Sequence, residues 1–254
     1  MTDWILLVAT VALLAVWNAR ETRRYAIFKQ TDDPAERMAF YRRWLVTSFA
    51  LLGLGSLAIL AALGRIGAVA TLPAEFAALY PHAGPTAPVT QMDAPMLIGF
   101  AIGATISLSV LAFVWHRRLR KMSQPVIGDI EPLLPRNGRE TLMAIPLSLN
   151  AGISEELCFR LALPLLINAC TGSAVAGLVL ATAIFGLMHR YQGWKGIAMT
   201  TLIGSFLTWI YIASGSLVKP MVLHVLVDLM ALVVRPAVSR LVMRRTARTA
   251  LAHG

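Results

Sequence analysis

TLMAIPLSLNAGISEELCFRLALPLLINA, Thr141 to Ala169, is long and apolar enough to cross a bilayer, yet it carries Glu155, Glu156 and Arg160 in its middle. A hydrocarbon core about 30 Å thick takes about 20 predominantly apolar residues in helical form. Six further segments fit that description: Trp4–Ala19, Trp44–Leu63, Met96–Trp115, Ala174–His189, Ile197–Ala213 and Met221–Val234. The chain therefore reads as an all-α, polytopic transmembrane helix bundle with about seven membrane helices.

Composition points the same way. Apolar residues make up 57% of the chain and charged residues only 14%, where a soluble domain holds roughly a quarter. So much apolar surface cannot all be buried in a soluble core of this size. The net charge of +10 raises nucleic acid as a partner. The basic residues, however, fall in short runs between apolar segments, a placement that sets membrane topology rather than one that tracks phosphates. No nucleic-acid partner is expected.

Basic runs follow the first, third, fifth and seventh spans: Arg20–Arg43, Arg117–Arg139, Arg190–Lys195 and Arg235–Arg248. The alternate loops hold only Arg65 and Lys219. This bias predicts an external N-terminus and a cytoplasmic C-terminus. Nineteen Arg against four Lys, with abundant Ala, indicates a GC-rich bacterial genome and hence a bacterial plasma membrane. The first span has Asp3 and no basic leader, so it reads as an uncleaved helix rather than a signal peptide.

Three regions are expected: an N-terminal membrane region (1–132) of three helices without a readable motif, a helical core (133–236), and a basic cytoplasmic tail (237–254). The Pro-rich loop Arg65–Ala94 is expected outside, with a turn or two of interfacial helix over Ala74–Tyr80. Arg20–Arg43 mixes aromatic and basic residues, so it either lies on the anionic leaflet or runs as a solvated linker. Cys158 and Cys170 sit in apolar stretches without metal-knuckle spacing, and no disulfide is expected.

Three polar clusters interrupt the apolar C-terminal half: Glu155, Glu156 and Arg160 in SEELCFR; Phe185 and His189 in FGLMH; His224 and Asp228 in HVLVD. Within each, an i,i+4 spacing stacks two side chains on one helix face. A charged group at the centre of a membrane helix costs roughly 2.5–3.5 kcal/mol. Four of them cost on the order of 10 kcal/mol before pairing, comparable with a whole domain's stability. Structural pairings explain part of this: Glu156 with Arg160, His224 with Asp228, His189 at an interface, Phe185 in packing. Glu155 has no basic partner within its own turn and is explained least well in this way.

EExxxR, FxxxH and HxxxN or HxxxD, in this order on successive membrane helices, form the pattern of the CPBP intramembrane proteases. This is the CAAX-protease and bacteriocin-processing (Abi) family, which includes the Rce1-like CAAX prenyl endopeptidases. The chain resembles that family from roughly Leu133 to Val234, including the lead-in LLPRNGRE. The resemblance implies an endopeptidase that cleaves a membrane-associated or lipidated peptide or protein within the bilayer or at its cytoplasmic face. It implies Glu155 as general base on a water that His189 holds and polarises. His224 and Asp228 would then face the developing oxyanion, while Glu156 and Arg160, with Phe185, fix the helix or position the substrate.

No cofactor is required on that scheme. A zinc-dependent version would use Glu155, His189, His224 and Asp228, an acceptable ligand set in type, although HExxH is absent. An ionised Asp228 cannot donate to an oxyanion, so protonation, orientation of His224 and metal ligation all stay open. Two non-protease readings compete. One is a non-catalytic immunity or scaffold protein of the same fold; the other is a transporter or proton relay, against which the lack of internal repeats counts. Finally, His189 falls near the cytoplasmic end of its span and His224 nearer the external end of its own. A shared site requires tilted helices or shifted helix ends.

Overall fold

The computed structural model describes residues 1–79 and 129–238. The expected third span, Met96–Trp115, and all but the first two residues of the basic tail lie outside them. Helix α1 (Thr2–Phe28) is followed by α2 (Pro34–Ser48), which starts with Pro34 in its first turn and Asp33 as cap, accepting from Ala35 N. A π-helical turn, Phe49–Leu54, joins α2 to α3 (Gly55–Ala62) in one continuous rod. The short α4 (Ala74–Ala77) closes this half. No strand occurs among the described residues.

In the second half, Asn137 caps α5 (Gly138–Glu156). Its side chain accepts from Glu140 N and donates to Glu140 Oε1, a reciprocal arrangement that satisfies the first turn. A π-helical turn, Leu157–Ala162, carries the rod on into α6 (Leu163–Thr171), which ends at Gly172 in the left-handed region. Then come α7 (Ala174–Met188), α8 (Gly193–Ser214) and α9 (Val218–Leu229), the last extended by a π-helical turn, Met230–Val234.

Among the described residues, four helical stretches are long and apolar enough to cross a membrane: Thr2–Phe28, Pro34–Ala62, Arg190–Ser214 and Val218–Val238. The rod Gly138–Thr171 is long enough but is broken by its own charges, and α7 is shorter. The expected Trp4–Ala19, Trp44–Leu63, Thr141–Ala169, Ala174–His189, Ile197–Ala213 and Met221–Val234 all fall on helices. Large apolar side chains stay exposed along these helices, with Leu142, Ile145, Leu149 and Ile153 striping one face of α5. That face satisfies no soluble packing and suits lipid. The chain is an all-α integral membrane protein.

One expectation needs correction. Arg20–Arg43 is not a solvated linker. It supplies the ends of α1 and α2, and Arg37 is completely buried. Its guanidinium pairs with Glu140 (Nη2–Oε2 2.9 Å), donates to the carbonyls of Pro132 and Leu134, and lies 4.7 Å from the Phe28 ring. Five donors in a fixed fork let one side chain satisfy all of these partners. A cluster of Tyr25, Phe28, Phe40 and Tyr41, with Trp44 and Tyr191 against it, seals the group. LLPRNGRE is thereby clamped onto the N-terminal helices.

The expected helical turn within Ala74–Tyr80 forms as α4, and its Phe76 is fully buried and meets Tyr211 edge-on at 6.2 Å, which anchors it on the bundle. Its Glu75 pairs with Arg65, which holds that carboxyl below its usual range.

Candidate active site

Successive residues on an α-helix point about 100° apart, so Glu155 and Glu156 face different surroundings. Glu156 turns into the core. Its Oε2 lies 3.0 Å from Arg160 Nε, and both side chains are wholly buried. Arg160 also donates to Gly204 O at 3.3 Å and stacks over Phe185 at 4.3 Å. Its charge is therefore shared among a carboxylate, a carbonyl and a ring face, while its Nη1 has no hydrogen-bond partner among the described residues.

The other oxygen of Glu156 reaches across to α9. Oε1 accepts from His224 Nδ1 at 2.7 Å. With Nδ1 occupied, the only ring nitrogen His224 can offer to a cleft is Nε2. Close approach of α5 and α9 makes this contact possible. A Cβ on Gly152 would come within 2.8 Å of Val225 N and 2.9 Å of Met221 O, so only glycine fits between these helices.

Glu155 faces a small cleft instead, lined also by Trp17, Glu21, Trp44, Phe159, Met188 and His189. Its Oε2 is buried and has no hydrogen-bond partner among the described residues. Around that oxygen stand His189 Nε2 and His224 Nε2, each at 4.0 Å. Asp228 Oδ2 lies 3.9 Å from His224 Nε2 on the same helix. At that distance no direct hydrogen bond joins Asp228 to His224, and Glu156 holds the ring.

His189 is set differently. Its Nδ1 lies 2.9 Å from Phe185 O. A carbonyl only accepts, so Nδ1 carries the proton, and in the neutral ring Nε2 presents a lone pair toward Glu155. Phe185 does more than pack. It supplies that carbonyl, lies under Arg160, and meets His224 edge-on at 6.1 Å. His189 closes α7, which has only 15 residues and, at about 1.5 Å per residue, is shorter than the membrane core is thick. The chain then turns through Gly193, at φ +75°, into α8.

All seven residues singled out in the sequence thus gather in one place, and Glu156 proves to be the hinge of the group. Sequence reading missed the contribution of α1 and α2. Trp17, Glu21 and Trp44 line the cleft beside Glu155 but carry no motif. Among the described residues, no group of three or more His, Cys, Asp or Glu side chains is arranged to hold a metal ion.

Residues 137–230 match the family model described as type II CAAX prenyl endopeptidase Rce1-like. No curated protein and no solved structure matches the chain. The matched span contains Glu155, Glu156, Arg160, Phe185, His189, His224 and Asp228, on the helices that bring them together. The family is one of proteases, and residues 137–230, less than half of the chain, are similar to it.

Proposed function

We propose that the protein is an intramembrane endopeptidase that hydrolyses a peptide bond of a membrane-associated or lipidated substrate with a glutamate-activated water. The observation that carries this is the unpartnered Glu155 Oε2, standing 4.0 Å from two histidine Nε2 atoms. A water there would give one hydrogen to Glu155 and the other to the lone pair of His189 Nε2, leaving its own lone pair free to attack. As the new C–O bond forms, Glu155 takes the proton. With Nδ1–H given to Glu156, His224 donates from Nε2 only as the imidazolium, a form that Asp228 beside it favours, and that Nε2–H borders the space where the carbonyl oxygen gains charge. Collapse of the adduct breaks the C–N bond, and Glu155 returns its proton to the leaving amine.

The spacing favours water over a tetrahedral zinc ion. Two ligands each about 2.1 Å from zinc lie roughly 3.4 Å apart, closer than the observed 4.0 Å. His224→Ala is expected to lower turnover by roughly 10²- to 10³-fold, the effect of losing one oxyanion donor. Metal analysis of active wild type should find little zinc, unchanged in the variant. One equivalent of zinc, lost together with activity in His224→Ala, would overturn the glutamate mechanism in favour of the zinc-dependent version.

The substrate approaches from the bilayer or the cytoplasmic face. This follows from the proposed topology, with the N-terminus outside and the basic loops inside a bacterial plasma membrane. Cysteines at Arg42 and Ile66, both exposed, test it. Arg42→Cys is expected to label from the cytoplasmic side and Ile66→Cys from outside. The reverse pattern contradicts the orientation.

A further inference from the structure

The cleft beside Glu155 continues along α1, outside the span matched by the family. Its walls there are Trp17, Glu21, Trp44 and Leu52. Three buried polar atoms on cleft-lining residues lack hydrogen-bond partners among the described residues: Trp17 Nε1, Glu21 Oε2 and Glu155 Oε2. Glu155 is accounted for by the water. The other two are not.

Buried polar groups are nearly always satisfied, and an orphan is costly. The rest of Glu21 is well held. Its Oε1 takes a hydrogen bond from Arg24 at 2.7 Å, and Arg43 Nη2 lies 4.0 Å from Oε2. The charge of Glu21 is thus already balanced, so Oε2 offers a neutral donor a place rather than recruiting a cation. Trp17 and Glu21 are four residues apart on α1 and so share a face. One face therefore presents an indole N–H donor and a carboxylate acceptor, one turn apart, in a cleft with aromatic and aliphatic walls. A residue of extended peptide has the matching edge, since its C=O and N–H point to the same side, and its side chain would enter the apolar walls.

Resting on the protease reading, we infer that α1 holds the substrate's main chain: Trp17 Nε1 donates to a substrate carbonyl and Glu21 Oε2 accepts a substrate N–H, with an apolar substrate side chain between Trp17 and Trp44. Both are positioning residues. They bind the peptide equally in ground and transition states and leave the proton transfers to Glu155.

The test is steady-state cleavage by the full chain in liposomes of a quenched fluorescent peptide ending in a farnesylated Cys-tripeptide. Each backbone N–H near the scissile bond is methylated in turn. Trp17→Phe removes the N–H and keeps an aromatic wall. It is expected to raise KM about 3- to 10-fold with kcat within about twofold, as for one neutral hydrogen bond. One N-methylation should raise KM in wild type and add nothing further in Glu21→Met, which has no oxygen acceptor, a coupling that a purely structural Glu21 would not give. Unchanged KM in Trp17→Phe, or N-methylation that costs wild type and Glu21→Met equally at every position, overturns the inference. If Glu155→Gln is inactive in the same assay, the protease reading survives that outcome. If Glu155→Gln cleaves these peptides as fast as wild type, the protease reading falls instead.

Discussion

Glu155→Gln is expected to reduce peptide hydrolysis by about 10²- to 10⁴-fold, the usual contribution of a positioned general base, while the protein still inserts and purifies. The amide has the same shape. Glu155 Oε2 has no hydrogen-bond partner among the described residues, so replacement breaks no hydrogen bond of that atom within the protein. What is lost is an acceptor for the water's proton. Unfolding midpoints of variant and wild type in the same detergent should agree. Activity within tenfold of wild type, in an assay where wild type cleaves, rules out Glu155 as the base. Glu156→Gln is not an equivalent change. It weakens the hold on both Arg160 and His224, so stability and activity should fall together.

The largest loss of stability is expected from Arg160→Met, at about 3–5 kcal/mol, the effect of removing one partner from a buried ion pair. Methionine keeps much of the length and apolar contact. It leaves Glu156 Oε2 without its 3.0 Å partner, removes the donor to Gly204 O and leaves the Phe185 ring without its cation. Equilibrium unfolding in mixed micelles measures this. A loss below about 1 kcal/mol would mean that the pair is solvated in the membrane and does not hold the site. Activity should fall as well, because Glu156 is what holds His224 Nδ1.

Apolar length made the helices legible, since backbone groups in lipid must be satisfied within the helix whatever the tertiary contacts. The polar clusters were legible because charge at membrane depth is costly and its i,i+4 spacing survives into the fold. The partners of Glu156 were half visible. Arg160 lies on its own helix four residues on, but His224, 68 positions away on α9, is not announced by any local spacing. Arg37 was misread for the same reason. A basic residue in a basic run looks solvated, and only the fold shows Glu140, Pro132 and Leu134 converging on it. The walls contributed by α1 were invisible, since Trp17 and Trp44 are ordinary residues for a membrane helix. His189 and His224 are expected at different depths from the ends of their spans, yet both Nε2 atoms stand 4.0 Å from Glu155 Oε2.

The central claim, that the Glu155 cleft hydrolyses peptide bonds, is tested most directly by comparing protein termini in membranes carrying wild type or Glu155→Gln at equal levels. The account predicts new termini in or next to apolar or lipidated segments with wild type, absent with the variant, each product carboxyl taking one oxygen from labelled water. Indistinguishable sets of termini, at matched abundance and with both proteins folded, would contradict it and favour the non-catalytic reading of the same bundle.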